Sequence, residues 1–134
     1  VASMLTVGNL QGGIQGPEDL RRAHVASVDN TSGALYLESQ RIRHSNYPNL
    51  ITAMRAVQQG EAEAVVYDLP IMQYRNGELN QGGLRLLSGT FENQSYAFAL
   101  ASGSPYRERI NLELLRALGE DEWGKVQRLY LGEP

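Results

Sequence analysis

Two short stretches of the chain hold polar residues where a small ligand could be gripped. The first is Asp29-Asn30-Thr31-Ser32-Gly33, directly after the apolar run that ends at Val28. If a helix starts here, its first backbone N–H groups have no partner within the helix. With the Thr31 and Ser32 hydroxyls they converge on one spot suited to a carboxylate. The same residues also make an ordinary helix N-cap, so the stretch alone leaves both readings open. The second is Asp68, which follows Ala64-Val65-Val66-Tyr67 and precedes Leu69-Pro70. An acid placed there can cap the next helix, or it can accept charge-assisted hydrogen bonds from a ligand ammonium. Together, one stretch wants an anion and the other a cation. An α-amino acid carries both.

These residues need elements to bring them together. His24–Val28 reads as a strand entering the first stretch, and Ala34–Ile42 as the helix leaving it, with Leu35, Leu37 and Ile42 apolar. Ser45-Asn46-Tyr47-Pro48-Asn49 reads as a loop or a short extended piece. Leu50, Ala53, Met54 and Val57 then fall at i, i+3, i+4, i+7, a helical stripe that Gly60 stops. Ala62–Tyr67 is a short apolar strand ending at Asp68. Pro70 opens a helix to about Arg75, which Asn76-Gly77 is expected to end. Met4, Leu5 and Val7 suggest a strand near the start, before breaks at Gly8, Gly12, Gly13 and Gly16-Pro17. Pro17-Glu18-Asp19-Leu20 reads as a short helix start. Leu84–Leu87 and Tyr96–Ala101 read as further strands, Tyr106–Leu118 and Glu122–Leu131 as the last helices. Strands alternating with helices predict an α/β fold, with a mostly parallel central sheet flanked by helices. Parallel α/β sheets place ligands just past the carboxyl ends of their strands, which is where both stretches fall.

Composition narrows the function classes. The 134 residues are 42% hydrophobic with a net charge of −3, which argues against disorder and against a nucleic-acid partner. The densest basic stretch, Arg41, Arg43 and His44, is too short for a polybasic patch. There is no cysteine, which removes disulfides and thiolate metal sites. His24 and His44 lie 20 positions apart and suggest no metal site, so no metal or other cofactor is expected. No apolar run reaches the length of a membrane span. Gly12-Gly13 lacks the setting of a phosphate loop, and no nucleophile–base pair stands out, so binding is expected rather than catalysis. Tyr36, Tyr47 and Tyr74 read as packing or rim residues, and Trp123 as core.

At this point the sequence resembles a known family. Pro17-Glu18-Asp19-Leu20, His24–Val28, Thr31-Ser32-Gly33, the Leu50–Gly60 helix, Glu63-Ala64-Val65-Val66-Tyr67-Asp68-Leu69-Pro70 and Tyr96-Ala97-Phe98-Ala99-Leu100 look like type II periplasmic binding proteins for polar amino acids. These are two-lobed, Venus-flytrap domains. The start, Ala2-Ser3-Met4-Leu5-Thr6-Val7 with Ile14-Gln15-Gly16-Pro17-Glu18-Asp19-Leu20, resembles the second ligand-binding segment of ionotropic glutamate receptors, and Ser102-Gly103-Ser104-Pro105-Tyr106-Arg107 with Ile110-Asn111-Leu112 resembles a later part of it. The resemblance is closest to a prokaryotic receptor-like channel.

The resemblance implies roles. Thr31 and Ser32, with Asn30 and Gly33 beside them, match positions that hold ligand carboxylates, and Asp68 matches the acid that holds the α-ammonium. Asn30 departs from the family's usual glycine. The family's arginine for the α-carboxylate lies on the other lobe and has no counterpart here. The implied layout puts ligand-binding lobe 2 in residues 1–95. A hinge strand and two C-terminal helices occupy 96–134 and would pack on an absent lobe 1. Ile110, Leu114, Leu118, Val126 and Leu129 then need another partner, either lobe 2 or a second copy. The chain is expected to begin mid-protein, separated from its first lobe and pore, on the periplasmic or extracellular face of a bacterial membrane. The alternative is a solute-binding protein of an amino-acid ABC transporter.

Overall fold

The computed structural model describes residues 2–7, 13–78, 84–87 and 95–132, the first of these segments by its backbone. The chain divides into two compact units, Val1–Gln94 and Ser95–Pro134. In the first unit, β1 (Ala2–Val7), a 3-10 turn (Pro17–Arg22), β2 (Val25–Val28), α1 (Ser32–Ser39), β3 (His44–Tyr47), α2 (Leu50–Gln58), β4 (Ala64–Asp68), α3 (Leu69–Glu78) and β5 (Leu84–Leu86) follow in order. The strands form one sheet in the order β3-β2-β4-β1-β5. β2 pairs in parallel with β3 and β4, while β1 runs antiparallel to both its neighbours. Among the described residues, four of the five strands therefore share one direction, and the mostly parallel α/β sheet expected from the sequence is present.

The sheet is covered on both faces because its central strands alternate. Val25, Ala64 and Val66 pack with Leu20, Leu37, Ile42 and Leu87 on the α1 side. Ala26, Val28 and Val65 pack with Leu50, Ala53, Met54, Val57 and Met72 on the side of α2 and α3. Period-two side-chain direction fixes which residues share a face, so Asp68, two past Val66, looks toward α1. The helical stripe predicted for α2 is all buried.

Several local expectations are sharpened or corrected by the structure. Of the loop or short extended piece expected from Ser45, the extended alternative holds: residues 44–47 form an edge strand paired with β2. Its Ser45 and Asn46 are exposed, so it carries no apolar alternation to signal a strand. α3 continues through Asn76-Gly77 to Glu78, with Arg75 and Glu78 ion-paired at 2.6 Å across its last turn. The expected hinge strand at Tyr96–Ala101 is not a strand, because a strand needs a ladder and no ladder forms there among the described residues. Gly8 and Gly12 lie outside the described residues.

The second unit holds α4 (Arg107–Gly119) and α5 (Asp121–Leu131), which pack on each other through the one-residue joint Glu120. Neither helix has a buried residue. Ile110 and Leu114 are half-buried, whereas Leu118, Val126 and Leu129 are exposed. Trp123, expected in a core, is 41% exposed, since two helices alone cover each other on one side only.

α1 and α2 end in the same motif with different residues. In α2 the N–H of Gly60 donates to the Val57 carbonyl at 3.2 Å and that of Glu61 to Ala56 at 2.9 Å, with Gly60 at φ +79°. In α1 the N–H of Arg41 donates to Glu38 at 2.9 Å and that of Ile42 to Leu37 at 2.8 Å, with Arg41 at φ +54°. Both are Schellman ends, and the left-handed residue in them favours glycine. We expect Arg41→Gly to raise stability by about 0.5–1 kcal/mol. A higher midpoint at unchanged slope in urea unfolding checks it, and a lower midpoint contradicts it.

Candidate functional site

β2 and β4 are adjacent and parallel, with Val25 opposite Ala64 and Ala26 opposite Val65. Their carboxyl ends, Val28 and Asp68, therefore emerge at the same edge of the sheet. Asp29 and Asn30 turn the chain there, and α1 begins. Asn30 sits at φ +58°. That is a left-handed turn, and asparagine is among the few residues besides glycine that occupy it readily. The departure from glycine at this position thus leaves the turn in place.

Thr31 is the N-cap of α1. Its Oγ1 accepts from the Ala34 amide at 3.3 Å and its hydroxyl donates to the Val28 carbonyl at 2.7 Å. So the capping reading of Thr31 holds, and its hydroxyl is occupied inside the loop. The amides of Ser32 and Gly33, in the first turn, have no acceptor within the helix by its geometry. Ser32 reaches across to the other stretch: its hydroxyl donates to Asp68 Oδ1 at 2.8 Å, in a half-buried setting. The structure therefore brings Ser32 and Asp68 into direct contact, with Thr31 and Gly33 in the same turn and Asn30 exposed on the preceding bend.

What lets α1 come so close is Gly33. A Cβ at this position would lie 2.7 Å from the Val66 carbonyl oxygen and 3.3 Å from Ser27 Oγ. Both obstacles belong to the sheet, so glycine is required. Ser27 is the residue that sequence reading missed. It is fully buried, and its hydroxyl donates to the Val66 carbonyl at 3.0 Å, tying β2 to β4 one residue short of the site's edge. Its signal is a lone hydroxyl within the apolar run Val25-Ala26-Ser27-Val28. A buried hydroxyl needs a partner, and the partner here is the carbonyl that Gly33 faces.

Chemically, the edge offers a carboxylate at Asp68, a hydroxyl at Ser32, and outward-pointing amides with the positive end of a helix dipole. Anion and cation can be held side by side. Among the described residues no cluster of three or more His, Asp or Glu suits a metal ion.

No family model matches the chain. It is 30% identical over 98 residues, 71% of its length, to the ionotropic glutamate receptor NMDA 2D of Homo sapiens, and spans 7% of that receptor. Among solved structures it is similar to the GluR0 ligand-binding core of Nostoc punctiforme in complex with L-glutamate. There the TM-score is 0.78 at 24% identity, covering 98% of this chain and 61% of that one. It is also similar to substrate-binding domain 2 of GlnP from Lactococcus lactis in its open conformation. That TM-score is 0.76 at 18% identity, covering 99% of this chain and 59% of that one. Likeness at these identities is likeness of fold.

The close approach gives a test. Gly33→Ala should destabilise the chain by about 1–3 kcal/mol, as overpacking against fixed backbone does. Urea unfolding measures it, and a variant as stable as the parent contradicts the requirement for glycine.

Proposed function

From a chain with the type II periplasmic-binding-protein fold, in its glutamate-receptor-like form, we propose that residues 1–95 are the second lobe of a clamp for a small amino acid. The observation that carries this reading is the Ser32–Asp68 contact at the amino end of α1. Asp68 takes the ligand's α-ammonium. Ser32 and the first-turn amides at Ser32 and Gly33 take a carboxylate, and Thr31 shapes and caps that turn. Asn30 borders the site from its bend. Among the described residues no arginine stands at this edge for the α-carboxylate, so on this reading the second half of the grip comes from a first lobe. On this reading 96–134 returns toward that lobe, and α4 and α5 pack on it through Ile110, Leu114, Leu118, Val126 and Leu129. Without a first lobe, those faces pack on lobe 2 or on a second copy.

The function that follows is ligand sensing rather than catalysis. Amino acid binding closes the two lobes, and the closed state is favoured by its higher affinity. The similarity to the NMDA 2D receptor and to a GluR0 core solved with L-glutamate supports a channel context and a glutamate-like ligand, on the periplasmic or extracellular face of the membrane. The likeness to the GlnP substrate-binding domain supports a second reading, the solute-binding part of an amino-acid transporter.

Asp68→Asn keeps the shape and an oxygen for Ser32 but removes the charge. In a polypeptide joining this chain to its first lobe, we expect it to weaken amino acid binding by about 2 kcal/mol or more, as for a desolvated charged hydrogen bond. Calorimetry reads the change, and an unaltered affinity removes Asp68 from the site.

A further inference from the structure

At the opposite edge of the sheet, where β2 and β3 begin, lies a cavity of about 330 Å³ lined by Ala23, His24, Arg43, His44 and Ser45. The strands bring these residues together from two parts of the sequence, since Val25 pairs with His44 in the parallel ladder. Both imidazoles are fixed by backbone. His24 Nδ1 lies 3.2 Å from the Glu61 carbonyl and His44 Nδ1 lies 3.0 Å from the Ile42 carbonyl. A carbonyl only accepts, so in each ring Nδ1 carries the proton and Nε2 is the nitrogen able to take a second. Arg43 is exposed and has no ion pair among the described residues.

We propose that this cavity binds a phosphoryl-class oxyanion. Arg43 supplies a fork of fixed donors, Ser45 a hydroxyl, and each imidazolium an Nε2–H once it is protonated. Imidazoles held through Nδ1 also suit a divalent metal when neutral. Arg43 in the same wall decides between the two, because it repels a cation and attracts an anion. The charged groups on the adjoining segments are Arg21 and Arg22 of the 3-10 turn, Arg41 before β3, and Glu61 and Glu63 before β4. The Glu63 carboxylate is engaged by the His24 backbone amide at 2.7 Å, and neither glutamate lines the cavity. The chain's net charge is −3, so the attraction is local to this edge.

The test is calorimetric titration of the full chain with inorganic phosphate at constant ionic strength and constant pH. The expected result is saturable binding. Arg43→Gln should weaken it at least about tenfold, while Arg55→Gln, an exposed guanidinium on α2, leaves it unchanged. Vesicles of phosphatidic acid in neutral lipid separate the sources. Capture on vesicles, relieved by free phosphate, assigns a lipid headgroup, and binding of free phosphate alone assigns a soluble ligand. Each supports the site. It is overturned if neither probe binds, if the two arginine variants lose affinity equally, or if zinc binds and phosphate does not.

Discussion

The backbone of α1 lies against the backbone of β4 at one point, where Gly33 meets the Val66 carbonyl. A methyl group there would stand 2.7 Å from that oxygen. The same carbonyl accepts the hydroxyl of the buried Ser27, so β2, β4 and the start of α1 are locked through a single peptide group. The rest of the site follows from this. Ser32, one residue before Gly33, and Asp68, two residues after Val66, are brought to a 2.8 Å hydrogen bond because neither element can sit further away without emptying that contact. A helix start and a strand end are common features. Their fixed separation is what turns them into a place where opposite charges can be held together.

Much of this was legible in the sequence. The stripe Leu50, Ala53, Met54, Val57 announced α2, and the apolar run before Asp68 announced β4, because burial leaves a periodic trace. The cap at Thr31 was readable from residue type. The Ser32–Asp68 pairing was readable only as a coincidence of two strand ends, since the parallel pairing of β2 with β4 is a long-range fact with no local signal. β3 was legible only as a loop or a short extended piece, because an exposed edge has no need of apolar alternation. Tyr96–Ala101 misled in the other direction. It has the composition of a strand, but a strand is a property of a ladder, and composition does not provide one. Trp123 was misread for a related reason: a large aromatic is placed in a core only where enough chain exists to surround it.

The two units differ in how far they bury their own apolar residues. The first buries both faces of its sheet from its own residues. The second is a helix pair without a buried residue. This chain spans about three-fifths of the solved binding domains it matches, and in the proposed function it holds one side of the grip: the acid for an ammonium and a helix start for a carboxylate.

The most direct test of that reading is a crystal structure of the two-lobe polypeptide with an amino acid bound. The ligand's ammonium nitrogen should lie about 3 Å from the Asp68 carboxylate, with a carboxylate oxygen at the first turn of α1 beside Ser32 and Gly33. An amino acid seated with its ammonium elsewhere, or held without touching this edge of the sheet, would contradict it.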